Sequence, residues 1–342
     1  MAGMSWAVSP SGRRVVRVLS IAGAAGSFLV YYLPNTYLLN TYKNVTKLYR
    51  KGIEVPVSKQ ITSLVKEVMD DLQLTDLQRK SISTYTSYGF DLFHAGSTSV
   101  KTGGILGIPI NFSFSSDNFD RQGIAVNNEP VPWSTAAGES LKQSIILSKD
   151  AKKFGIAREI TSLSTVQPFV NGAFTAAIVG MVYTMSSTVN ANFNLYARPR
   201  SLRMVWYVLV YSFGGILWAL CKDVSTVGYE GDVDKAVADI SNTYAAGGLE
   251  FYEKVLQRNV ALRSLMGVNG EAIYTAYGND QVLLRTKHLP FTVRRDYMKT
   301  RVEEYCQSKE EPRAVGGMQN AEQHKSKDDA LADAASDVQK SA

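Results

Sequence analysis

Two stretches decide the fold: PFVNGAFTAAIVGMVYTMSS at Pro168–Ser187 and MVWYVLVYSFGGILWALC at Met204–Cys221. The first lies within Thr161–Tyr196, which has no charged residue, and the second runs uncharged from Arg203 to Lys222. An apolar run of about 20 residues matches the roughly 30 Å hydrocarbon layer, and lipid offers the backbone no partners, so each must be a helix. Together they predict a transmembrane hairpin over 166–221, with spans at 168–187 and 204–221. Gly172, Ala176 and Gly180 on the first span, and Gly214 and Gly215 on the second, form small-residue faces suited to close helix packing. Such a face either closes the hairpin or docks a partner helix. Met181 and Met185, one turn apart, read as packing or lipid-facing residues rather than copper ligands.

Towards the N-terminus, Val18–Leu33 is a third uncharged run, preceded by a basic segment (1–17) with Arg13, Arg14 and Arg17 and closed by Pro34. It reads as a transmembrane helix or as a cleaved targeting segment. Residues 1–53 hold seven Lys/Arg and no acid, whereas the remaining 289 carry 30 basic and 31 acidic groups. The net charge of +6 thus resides at one end, which argues against a nucleic-acid surface. Acid-free, Arg-bearing sequence suits mitochondrial import; a secretory signal-anchor with sequons at Asn44 and Asn111 is the competing reading. The basic flanks of the hairpin do not orient it.

Between the membrane segments, 34–165 reads as a soluble α+β region. Ile61, Leu64, Val65, Val68 and Leu72 set a helix over Val57–Leu74, and Gly-rich residues 83–133, with short runs at Ile105–Phe114 and Ile124–Val126, a small sheet. Lys101–Gly107 lacks the Lys-Ser/Thr ending of a phosphate loop. Ser148–Leu163 has the cadence of a zinc-peptidase helix, but Arg158 and Ser162 stand where histidine ligands belong, leaving Glu159 without a metal to serve. An ordinary amphipathic helix is the plainer reading. Two cysteines without a CxxC and three scattered histidines (His94, His288, His324) predict no metal, cofactor or catalytic set.

The 222–306 region is helical, with Gly231–Met266 strongly so. A wheel of its second half puts Asn259 and Arg263 among apolar positions and Arg258 at the border. This makes Asn259 and Arg263 candidates for buried, paired or partner-binding polar residues, together with His288, Arg294, Arg295 and Asp296. The polar stretch 307–342 reads as a disordered tail.

The strings GGLEFYEKVLQRNVALRSLMG (247–267), YTAYGN (274–279) and KHLPFTVRRD (287–296), with SKDAKKFGIARE (148–159) and VPWS (131–134), resemble the transmembrane protein 177 family. The likeness covers roughly residues 100–300, whereas the first hundred match in layout only. It implies a non-enzymatic, multi-pass protein of the mitochondrial inner membrane. It also implies partners: newly made cytochrome c oxidase subunit II and its dedicated assembly chaperone, with the lipid bilayer around them and no nucleic acid or small-molecule substrate. The alternative is a membrane-bound protein of degenerate metallopeptidase-like ancestry with a hydrolase or scaffold role. A channel or transporter is disfavoured by spans that carry no charge.

Overall fold

The computed structural model describes residues 9–115, 118–119, 124–127, 129–282 and 284–307. The tail from 308 and the first eight residues of the basic segment lie outside them. From the N-terminus, α1 (Pro10–Tyr32) and α2 (Leu39–Thr46) precede a two-residue hairpin, β1 (Tyr49–Arg50) with β2 (Ile53–Glu54). Helices α3 (Lys59–Asp71) and α4 (Asp76–Ser81) lead into β3 (Ile82–Ser87), β4 (Phe93–Gly96) and β5 (Gly104–Pro109). A second short hairpin, β6 (Ala125–Val126) with β7 (Glu129–Pro130), is followed by α5 (Ala136–Ile145), α6 (Lys149–Leu163), α7 (Gln167–Asn192) and α8 (Arg200–Ala238). Then come α9 (Asn242–Met266), α10 (Val268–Ile273) and a last helix, α11, over residues 291–307. This is an α+β membrane protein.

Among the described residues, three helices, α1, α7 and α8, are long and apolar enough to cross a bilayer. Pro168 sits in the first turn of α7, where its missing N–H leaves no bond unmade. Helix α1 runs antiparallel to α7: Phe28 and Tyr31 near its C-terminus pack over Gly172, and the Tyr32 and Phe169 rings lie 5.8 Å apart. Along the hairpin, Trp218 Nε1 donates to Thr175 Oγ1 (3.2 Å) and Asn190 Nδ2 to the Tyr207 hydroxyl (2.9 Å). Helix α8 does not stop where its apolar run does. Its 39 residues extend about 58 Å at 1.5 Å per residue, nearly twice the hydrocarbon thickness. The half beyond Cys221 enters the soluble body, so the boundary read at 222 falls inside a continuous helix.

The body is organised around α6. Ala151, Phe154, Ile156, Ala157, Ile160 and Leu163 are all fully buried and point in every direction from its axis. The amphipathic reading of this helix is therefore corrected: it is a central helix, with buried residues on most sides of its axis and the charged Glu159 among them. Ser148 caps it by accepting from Ala151 N (3.1 Å). Helices α3, α8 and α9 and the sheet surround it. The sheet has the order β3-β5-β4, with β5 parallel to β3 and antiparallel to β4. Every residue of β5 is buried, as expected for a middle strand covered on both faces. The run read as continuing to Phe114 ends at Pro109 and turns into a 3₁₀ segment over Ile110–Ser113.

Candidate functional site

Where α8 leaves the membrane segment it carries Asp223, Glu230 and Asp234, spaced seven and then four residues apart and so on one side of the helix. Each meets a basic side chain from residues 285–294, which lead into α11 and form its first turn. Asp223 takes a two-pronged pair from Arg285 (2.7 and 2.8 Å). Glu230 accepts from His288 Nδ1 (2.7 Å) and from the Leu289 backbone N–H (2.8 Å). Asp234 receives Arg294 through Nε (2.5 Å) and Nη2 (2.8 Å). The ladder fastens the 285–294 segment along the emerging helix.

At its inner end the ladder becomes a buried network. Asp234 and Arg294 are each 2% exposed and Glu159 is 3% exposed. Tyr252 of α9 donates its hydroxyl to Asp234 (2.7 Å), and the Arg294 guanidinium lies 4.9 Å over the Tyr252 ring. From α6, Arg158 pairs with the Glu159 carboxylate (3.0 Å) and faces Asp234 at 3.6 Å. Glu159 is also bonded by His94 of β4. Burial alone would raise the Glu159 carboxyl; the Arg158 charge and the hydrogen bond with His94 overcome it and hold the group at about 2. Burial likewise opposes ionisation of Glu230, but the His288 bond and the nearby Arg294 keep it below the usual carboxylate range. The Glu230 hydrogen bond raises His288. A low-dielectric surrounding strengthens each pair and makes each single loss costly. Three elements of the body, α6, α9 and β4, are thereby tied to a membrane helix.

Chemically the carboxylates of the cluster are occupied, although Arg158 Nε is buried without a hydrogen bond. Glu159, in the base position of the zinc-peptidase pattern, has one oxygen on Arg158 and the other on His94. Among the described residues, no three His, Cys, Asp or Glu side chains converge as a metal set.

A family model described as Transmembrane protein 177 matches residues 76–311. The Homo sapiens protein of that name is 32% identical over 301 residues, covering 86% of this chain and 95% of its own length. The Danio rerio protein is 31% identical over 283 residues (81% and 91%), and the Xenopus laevis protein 32% over 266 (76% and 84%). No solved structure matches. The chain belongs to the transmembrane protein 177 family.

The strings that carry the resemblance lie at the site or brace it. KHLPFTVRRD supplies His288 and Arg294 to the ladder, but Arg295 and Asp296 point outward and pair with each other (2.6 Å). Asp296 is therefore exposed and Arg295 half-buried, neither in the core. In GGLEFYEKVLQRNVALRSLMG, Asn259 is fully buried and donates to Gly278 O (2.8 Å) of the YTAYGN turn. The wheel's assignment of the buried arginine is corrected. Arg263 is half-exposed, pairing with Glu271 (3.3 Å) and donating to Tyr274 O (2.9 Å), while Arg258 is buried and reaches Asp91 (2.7 Å). Gly278 has φ +84°, and a side chain there would strike the Leu256 backbone, which explains a glycine at this point of the turn.

The glycines of the membrane helices divide. Gly172 abuts α1, where an added Cβ would lie 3.0 Å from the Phe28 ring, and Gly214 admits Val182 across the hairpin. Gly180 and Gly215 have nothing within 4 Å of that position, and Ala176 is half-buried. Gly172, Ala176 and Gly180 thus do not form one continuous contact: its first glycine serves α1, not the hairpin.

Sequence reasoning did not find Glu159, Asp234, Glu230 or His94 as a set. The signal available was the spacing of Asp223, Glu230 and Asp234, which continues a helical stripe beyond the apolar run.

Proposed function

We propose that this membrane protein is a non-enzymatic assembly factor of the mitochondrial inner membrane that stabilises newly made cytochrome c oxidase subunit II together with its dedicated chaperone. The family likeness supports the client and compartment. The observation that carries the scaffolding role is the clasp on α8: one helix runs from lipid into the body and is fixed there by Asp234, Arg294, Arg158 and Tyr252. A factor that holds a membrane-inserted client needs its spans and its soluble surface in a constant relation, and this arrangement supplies one. The hydrolase alternative has less support, because the carboxylate it would use is occupied on both oxygens. The import reading of the N-terminus gains from Asn111, whose side chain is buried, with its Nδ2 donating to Ile145 O (3.4 Å).

The test is affinity capture of the tagged protein from mitochondria while mitochondrial translation products are radiolabelled. Labelled subunit II is expected in the eluate, and depletion of the protein is expected to shorten that subunit's lifetime while sparing its transcript. Unchanged turnover removes the assembly role, and an N-glycan at Asn44 removes the compartment.

A further inference from the structure

A groove of about 600 Å³ runs between α1, α7 and α8, within the roughly 300–1,000 Å³ range of ligand pockets. It is graded along its length. One end is apolar, walled by Ile178, Val179, Gly215 and Trp218. The other end is polar and holds Ser186, Asn190, Tyr196 and Tyr207. Ser186 and Asn190 are more than nine-tenths buried, yet Ser186 Oγ and Asn190 Oδ1 have no hydrogen-bond partner. In a membrane segment such atoms call for a partner, since lipid tails offer none.

The polar end is also the positive end. Because α1 is antiparallel to α7, the N-terminus of α1 and the α7–α8 loop share one end of the bundle. That end carries Arg13, Arg14, Arg17, Arg198, Arg200 and Arg203, and the sequence has no acid before Glu54 or between Glu159 and Asp223. Arg203 stacks 5.1 Å over the Tyr196 ring at the groove's mouth. Basic groups at the interface beside a hydrocarbon slot between helices match the two halves of an anionic phospholipid.

We propose that the groove binds one anionic phospholipid of the surrounding bilayer. The acyl chains lie along Gly23, Gly215 and Trp218, and the phosphate faces Arg13 and Arg203. The Ser186 hydroxyl donates to an ester oxygen, and Asn190 Oδ1 accepts from a headgroup hydroxyl. The charge pattern selects this occupant over a partner helix, which brings no phosphate to the arginines and at about 10 Å across is wider than a lipid chain.

The test is native mass spectrometry of the delipidated full-length protein in detergent with equal amounts of palmitoyl-oleoyl phosphatidylglycerol and phosphatidylcholine. One retained phosphatidylglycerol per chain is expected. Each arginine near a lipid surface contributes about fivefold, so Arg13→Gln with Arg203→Gln weakens retention roughly 25-fold. Gly215→Leu abolishes it by filling space that holds no atom within 4 Å of the new Cβ; Gly23→Leu, equally open, does the same from the opposite wall. Gly180→Leu, which is not in the groove, keeps the lipid. Equal retention of both lipids overturns the proposal. So does retention in both glycine variants with unchanged melting temperature, or loss of a co-purifying protein chain rather than lipid.

Discussion

The membrane bundle and the soluble body solve opposite problems. In the bundle, α7 has no charged residue, and contact rests on shape: Gly214 under Val182 and Gly172 under Phe28. In the body, the best-buried groups include Asp234, Glu159 and Arg294, and contact rests on matched charge. Lipid removes the hydrophobic drive between helices, so the bundle gains from close approach. Water supplies that drive to the body, which can then carry ions in its core if each is paired. Helix α8 belongs to both regions, and the change from one logic to the other falls between Cys221 and Asp223.

Breaking the body's side of this contrast has the largest expected effect. Asp234→Ala leaves the buried Arg294 with only Glu230 at 3.8 Å and frees the Tyr252 hydroxyl. Removing one partner of a buried pair costs about 3–5 kcal/mol. Thermal unfolding of the detergent-solubilised protein and limited proteolysis of the 285–294 segment are expected to report it together. A variant that melts within a degree of the parent would mean that the pairs contribute little.

Acid tests the same region without mutation. Glu159 ordinarily titrates near 4.5 and is held at about 2 in the fold. A depressed carboxylate stabilises above its unfolded value, and that stability is lost as pH falls from 4.5 towards 2. At about 1.4 kcal/mol per unit the loss is on the order of 3 kcal/mol. His288 has the opposite sign: raised by Glu230, it stabilises fully below its ordinary 6.5 and loses this as pH rises through its folded value. The network is therefore expected to be most stable between these limits. Melting temperature against pH checks this, and Glu159→Gln should make the acid limb shallower, with the remainder carried by other depressed carboxylates such as Glu230.

On the membrane side, Gly214→Leu forces a side chain into Val182 and parts α7 from α8. Overpacking of this kind costs about 1–3 kcal/mol. Loss of the Trp218–Thr175 and Asn190–Tyr207 bonds is expected to show as altered Trp fluorescence, with the 285–294 segment still protected from protease. Co-loss of that protection would mean that the two regions unfold as one.

The spans and the small sheet could be read from composition and local spacing because lipid and β-pairing each leave a local pattern. The ladder could not. Arg258 rather than Arg263 is buried because Asp91, far away in sequence, lies across from it; a helical wheel sees only its own helix. Glu159 reads from the sequence as a base without a metal, since nothing local reveals His94 on a strand 65 residues earlier. The packing of α1 on Gly172 was hidden for a related reason: small-residue spacing says that a helix comes close, not which one.

The smallest expected effect is the most exacting check on that point. Gly172 and Gly180 are two turns apart on α7 and look alike in sequence, yet only Gly172 has a neighbour close enough to feel a side chain. Gly172→Leu must displace Phe28 and Tyr31, so α1 is expected to detach from the hairpin, read as a loss of crosslinking between cysteines placed on α1 and α7. Gly180→Leu enters open space. In a helix interior, leucine is also favoured over glycine by under about 1 kcal/mol, so the variant should be neutral or slightly more stable. Unchanged crosslinking and abundance are expected, together with unchanged recovery of subunit II. Equal damage from both substitutions would mean that the face works as one surface, with a partner helix lying over Gly180 in the native membrane.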